Sequence, residues 1–354
     1  MIGRRCAAGL LAVLVLGACS GPTAPTTPTI PPPGSAAGTI ANPVLGQGAD
    51  PFVTVVDGTY HDVSSATDGG GVTLRSATSL VALQSAPEKQ IVRGGTDGAP
   101  CCEYWAPEVH RIGSRWYVYV AADDGDNVHH RMYAFSATKI TGPYSFAGKL
   151  ELPGDRWAID ATVLSTGGRA YVLWSGWPGS KNGEQDIYLA RLASPTRAEG
   201  SAVRLSRPEL GWETKAGDVG VKVNEAPAVL TSRGRIFVTY SASGCWTPDY
   251  ALGMLSADAG SDLLAPGSWR KSATPVFAPT AESGLYGTGH NGFFRSPDGT
   301  QTWLVYHAVT DPAGSCGADR EVYAQPVTFG SDGTPDLGTP SAAAVPLPAG
   351  DPGR

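Results

Sequence analysis

The sequence predicts an all-β fold, specifically a five-bladed β-propeller, and three observations carry that expectation. Glycine (46) and proline (29) occupy 75 of 354 positions while charged residues reach only 16%, which interrupts helices too often for a mainly helical chain. Short apolar runs, Tyr117 to Ala121, Ala170 to Trp174, Ile236 to Tyr240 and Trp303 to His307, are bounded by Gly, Asp, Ser and Pro and look like strands. A polar motif followed by a Gly-containing turn and an aromatic-rich strand recurs along the chain. Its copies start near residues 50, 106, 160, 225 and 290, intervals that suit a four-stranded blade with loops. A two-sheet sandwich also needs regular strands, but it leaves the polar motif at the head of each unit unexplained.

Taken in order, the chain opens with an export signal. Met1 to Arg5 is a charged start, Ala7 to Leu16 an apolar run too short to span a bilayer, and Leu16-Gly17-Ala18-Cys19 a small-residue cleavage site. That last tetrapeptide resembles a bacterial lipobox, so residues 1–18 are expected to be a lipoprotein signal peptide. Cys19 then becomes the lipidated first residue, and the mature protein an extracytoplasmic, cell-surface lipoprotein joined to the membrane there. Residues 20–41 hold six Pro and five Thr with almost no large apolar side chains. The segment 19–41 therefore reads as a semi-rigid tether. Residues 42–335 are expected to form the propeller, and 336–354 a low-complexity C-terminal tail. The expected oligomeric state is a monomer.

Loss of the signal takes Arg4 and Arg5 with it and leaves 24 basic against 32 acidic residues, a net charge of −8. That balance argues against nucleic acid, which calls for a basic face. In an oxidising compartment Cys101, Cys102, Cys245 and Cys316 are expected to carry no free thiol, and their spacing does not choose among the three pairings. Structural zinc is disfavoured because no C-x-x-C pair or compact Cys/His cluster is present.

The first strand of each propeller blade lines the central channel, so the five motifs converge at one end of it. Three of them carry a carboxylate, Asp50, Asp160 and Glu225, and one carries His290. A carboxylate beside an apolar strand is costly unless it is satisfied by partners or held for chemistry. Two such acids with separated pKa values are what glycoside hydrolysis needs, one to protonate the leaving oxygen and one to activate water.

The motifs Ala49-Asp50-Pro51, Trp105-Ala106-Pro107-Glu108, Ile159-Asp160-Ala161-Thr162, Asn224-Glu225-Ala226-Pro227 and Gly289-His290-Asn291-Gly292 together resemble the glycoside hydrolases of family 43 over residues 42 to about 335. Within that family the chain is most similar to the exo-acting α-1,5-L-arabinofuranosidases. That likeness lies in Cys101-Cys102-Glu103-Tyr104-Trp105, Ser243 to Tyr250 and Ser315 to Arg320. The resemblance implies inversion at the anomeric carbon, with Asp50 as general base, Glu225 as general acid and Asp160 as the carboxylate that tunes and orients Glu225. It also implies that His290 binds a calcium ion or a water cluster in the channel; calcium prefers oxygen ligands, so waters would fill most of the shell. No organic cofactor is implied.

Neutral sugars are gripped by stacking and by hydrogen-bond donors, which makes Trp105, Trp177, Trp246 and Arg320 the binding candidates. Glu108, Asp249 and His307 are candidates for supporting groups. The expected substrate is arabinan or its oligosaccharides, releasing L-arabinofuranose. An endo-arabinanase or β-xylosidase would use the same acids, and a noncatalytic glycan-binding lipoprotein would keep the fold but is disfavoured by the presence of all three.

Overall fold

The computed structural model describes residues 38–353. The expected signal segment, Cys19 and the tether up to residue 37 lie outside the described residues. Among the described residues no helix is long and apolar enough to cross a membrane.

The chain is all-β, built as five successive four-stranded antiparallel sheets. Sheet I comprises Phe52–Val56, Thr59–Ser65, Gly71–Ala77 and Lys89–Arg93; sheet II comprises Cys102–Ile112, Arg115–Asp123, Arg131–Ala137 and Ser145–Lys149. Sheet III is Ala158–Thr166, Arg169–Gly176, Glu184–Ser194 and Arg197–Ser206, and sheet IV is Lys222–Ser232, Arg235–Ala242, Ala251–Asp258 and Arg270–Lys271. Tyr286–Arg295, Thr302–Val309, Glu321–Phe329 and Pro335–Asp336 form sheet V. Sheets III and IV also share a short parallel contact, Glu184 with Lys222 and Gln185 with Val223.

The apolar runs noted in the sequence are the second strands of sheets II to V. A strand with both faces covered reads as continuous apolar sequence rather than as alternation, and Thr302–Val309 is buried at every residue. Five apolar layers fill the spaces between sheets. Val63, Val72 and Leu74 of sheet I meet Val109, Val118 and Phe135 of sheet II. The same arrangement repeats between II and III, III and IV, and IV and V. The last layer packs Phe294, Trp303 and Val305 of sheet V against Val53 and Tyr60 of sheet I.

The two ends of the described chain fold back on this frame. Thr39–Ile40, within the expected tether, pairs with Val345–Pro346 of the expected tail. Val345 and Leu347 join the layer between sheets V and I with Leu80 and Leu83, and the buried Asp351 accepts a 2.8 Å hydrogen bond from the N–H of Leu80. Low complexity thus does not make residues 336–353 a free tail.

Each first strand carries the polar motif at a backbone irregularity. Ala106, Asp160, Ala226 and His290 adopt positive φ within register shifts of the first strands of sheets II to V, and Asp50 does so two residues before that of sheet I. Non-glycine residues rarely occupy this left-handed region, and such strain concentrates at functional sites. Asp50, Asp160 and His290 are thereby equivalent positions. Glu225 is not: it precedes the left-handed residue of its strand by one.

Candidate active site

A cavity of about 420 Å³ brings these motifs together, within the size range of small-molecule sites. Asp50, Asp160, Glu225 and His290 line it with Trp105, Trp157, Trp246 and Arg320. Of the residues singled out in the sequence, the three acids, His290, Trp105, Trp246 and Arg320 are therefore assembled in one place.

Asp50 is held by cations and a neutral imidazole. Its Oδ1 lies 3.1 Å from Nδ1 of His290 and accepts a 3.0 Å hydrogen bond from Nη1 of Arg320. Burial alone would raise the Asp50 carboxyl, but the charges of His290 and Arg320 and the neighbouring imidazoles outweigh it and hold the group well below the usual carboxylate range. The Asp50 N–H donates to Nδ1 of His307 at 3.2 Å. His307 is buried and pushed down to about 4, first by burial, so it is neutral, and its Nδ1 also lies 3.3 Å from Oδ1 of Asp50. His290 moves the other way. Burial would lower it, yet the charges of Asp50 and then Asp160 raise it to about 9.

Glu225 sits in the opposite electrostatic environment. Burial first, and the charge of Asp160 second, push its carboxyl up to about 8. The hydroxyl of Tyr250 donates to its Oε1 at 2.7 Å, which leaves Oε2 free to carry a proton. Tyr250 reaches this position because Gly289 has no Cβ; one built there would overlap the tyrosine ring. The same ring stacks nearly parallel to His307, centroids 5.7 Å apart. Asp160 accepts a 2.9 Å hydrogen bond from the N–H of Ala226 and is raised to about 6, chiefly by burial and then by the charge of Asp50, with His290 offsetting part of the rise. Asp160 and Glu225 titrate as a linked pair. At neutral pH one side of the cavity carries an ionised carboxylate and another a protonated acid.

The walls are aromatic. Trp105 stacks on the buried His130 at 4.0 Å and donates its indole N–H to Glu103; those of Trp157 and Trp246 donate to the carbonyls of Asn127 and Ala216. With their N–H groups engaged, these rings offer π surface to a ligand. Trp177 requires a correction. It is 3% exposed, does not line the cavity, and stacks on Trp157 at 4.9 Å. Trp157 is the wall residue that sequence reasoning missed, and Trp177 is its backing. Tyr250 was also missed, although its motif had been noted.

The supporting candidates divide. His307 contacts Asp50, Glu108 pairs with His110 at 2.7 Å, and Asp249 lines a separate hollow with Trp212 and Pro279. The four cysteines among the described residues are paired as Cys101–Cys102 and Cys245–Cys316, as expected of these four.

The residues around His290 do not fit a protein-held calcium ion. Among the described residues no group of three or more His, Cys, Asp or Glu side chains is disposed to hold a metal. His290 commits Nδ1 to Asp50 at 3.1 Å. Nearby in the fold, the unpartnered buried atoms include Nδ2 of Asn291 and Nε2 of His307. The Asn291 amide nitrogen is a donor, which does not ligate a cation, and calcium prefers oxygen to an imidazole nitrogen.

Comparison with known proteins adds to this geometry. The chain is 37% identical over 344 residues, 95% of its length and 69% of the relative's, to a protein of Streptomyces avermitilis named extracellular exo-α-(1→5)-L-arabinofuranosidase. A Streptomyces chartreusis protein of the same name is 37% identical over 75% of this chain and 81% of that one. The crystal structure of an α-L-arabinofuranosidase from Lactobacillus brevis superposes with a TM-score of 0.77 at 36% identity, covering 85% of this chain and 96% of that one. The sequence profile described as Glycosyl hydrolases family 43 matches residues 40–335, so the chain, with two carboxyls held in opposite protonation states in one aromatic cavity, belongs to that family of glycosidases.

Proposed function

We propose that the protein is an inverting exo-α-1,5-L-arabinofuranosidase working from a five-bladed β-propeller. The observation that carries the mechanism is the opposed charge state of Asp50 and Glu225 in a shared cavity. Asp50, ionised, takes a proton from a water molecule as that water attacks the anomeric carbon. Glu225, protonated, gives its proton from Oε2 to the departing glycosidic oxygen. Asp160 remains unprotonated at pH 7, keeps Glu225 protonated by its charge and fixes the Glu225 strand through Ala226. Trp105, Trp157 and Trp246 supply stacking surface for the sugar, and Arg320 donates to hydroxyl groups while holding Asp50. The propeller reading is supported by the five four-stranded sheets and by the apolar layer that joins the last sheet to the first.

The substrate preference is supported by the names of the two Streptomyces relatives. Both are named extracellular, and the export signal and lipobox of this chain extend that to a lipoprotein anchored at Cys19. Incubation with linear α-1,5-arabino-oligosaccharides tests the reading. It predicts arabinose as the sole early product, appearing first as the β-anomer in proton NMR. Early release of longer oligosaccharides, or of the α-anomer, would contradict it.

A further inference from the structure

The Cys245–Cys316 disulfide joins two loops that each bring a residue to the cavity. One follows Arg235–Ala242 and carries Trp246; the other precedes Glu321–Phe329 and carries Arg320. The bridge spans 71 residues of sequence, and both of its cysteines line the cavity themselves. Gly314 lies against the Thr247–Pro248 backbone so closely that a Cβ would collide with it, and its positive φ excludes most other residues there. The Arg320 loop is thus seated on the Trp246 loop beside the bridge.

From the bridge a chain of contacts runs to the base. The carbonyl of Gly317, the residue after Cys316, accepts a 3.1 Å hydrogen bond from Nε of Arg320. Nη1 of the same guanidinium donates to Asp50 at 3.0 Å. Arg320 has no other side-chain partner besides these two groups in the hydrogen bonds and ion pairs of the described residues. Its planar fork therefore has one anchor and one load. We propose that the Cys245–Cys316 bridge is a positioning element for catalysis, fixing the Gly317 carbonyl that orients Arg320 on the general base while its sulfurs form part of the wall that meets the sugar. This rests on the assignment of Asp50 as base.

The test is a double-mutant cycle on the full-length exported protein, pairing Cys245→Ser/Cys316→Ser, which leaves no odd thiol, with Arg320→Ala. Rates are read on an activated aryl arabinofuranoside across pH, with thermal denaturation recorded for every variant. If the bridge acts through Arg320, its removal lowers kcat/KM by roughly 10- to 100-fold, the scale of a small misplacement of a catalytic group, and moves the acidic limb of the pH profile to higher pH. In the Arg320→Ala background the same removal then adds little, because the two changes share one path. Additive losses, or a lower melting temperature with the acidic limb unmoved in the folded enzyme, would overturn the proposal and leave Asp50 as base. Should Arg320→Ala itself leave the acidic limb in place, the assignment of Asp50 falls, and the relay with it. If the serine pair does not fold, Gly317→Pro keeps the bridge but disturbs the carbonyl anchor, and an unmoved acidic limb there would also overturn the proposal.

Discussion

The carboxylate of Asp160 accepts a 2.9 Å hydrogen bond from the N–H of Ala226, the residue immediately after Glu225. Ala226 can point its N–H there because it is the left-handed residue of its strand, as Asp160 is of the neighbouring sheet's. Two backbone irregularities thereby set the geometry between Asp160 and Glu225.

Asp160→Asn keeps a carbonyl oxygen for the Ala226 N–H but removes a negative charge that raises Glu225. The Glu225 carboxyl, at about 8 in the native protein, then loses its proton at lower pH. The basic limb of the kcat/KM profile is expected to move toward neutrality, with burial still keeping it above the ordinary glutamate range. An unmoved basic limb in Asp160→Asn would contradict the tuning role.

Tyr250→Phe acts on the same group with the opposite sign. The tyrosine hydroxyl donates to Oε1 and stabilises the ionised form of Glu225, so its loss raises the Glu225 pKa further and shifts the basic limb to higher pH. A single hydrogen bond to a charged group is worth about 1.5–3 kcal/mol, and the reduced acidity slows protonation of a poor leaving group. Rates on arabino-oligosaccharide should fall more than rates on an activated aryl glycoside, and equal falls on both would refute the assignment.

Trp157 and Trp177 separate binding from packing. Trp157→Ala removes cavity wall and is expected to raise KM. Trp177→Phe keeps a ring behind Trp157 and should lower the melting temperature with little change in KM. Trp177→Ala, a large-to-small change in a buried stack, costs about 3–5 kcal/mol of stability. A selective KM effect in Trp177→Phe would restore Trp177 as a sugar contact.

Anchoring is tested by fractionation. Cys19→Ala is expected to release the enzyme from membranes with its specific activity intact, and a wild-type protein found unlipidated by mass spectrometry would exclude the lipoprotein reading.

Much of this site was legible in the sequence because strands buried on both faces are apolar, so an acid at the start of one stands out. Asp50, Asp160 and Glu225 were visible for that reason. The one-residue offset of Glu225 was not, because it depends on which residue takes positive φ. Trp157 and Trp177 flank the strand pair Ala158–Thr166 and Arg169–Gly176, and only the pairing of Ala158 with Gly176 brings the two rings together. The cysteine partners were equally hidden, since Cys245 and Cys316 stand 71 positions apart with four strands between them. The packing of residues 336–353 depends on long-range partners such as Leu80, which local composition does not encode.

The division of labour between Asp50 and Glu225 is tested most directly by leaving-group dependence in Glu225→Ala. General acid or base catalysis contributes about 10² to 10⁴, so this variant should lose that order of rate on α-1,5-arabino-oligosaccharide. On an aryl arabinofuranoside whose leaving group needs no proton it should recover most of the loss, while Asp50→Ala stays slow on both substrates. Equal inactivity of Glu225→Ala on both, with Asp50→Ala rescued by the activated substrate, would mean that the acid and base are reversed.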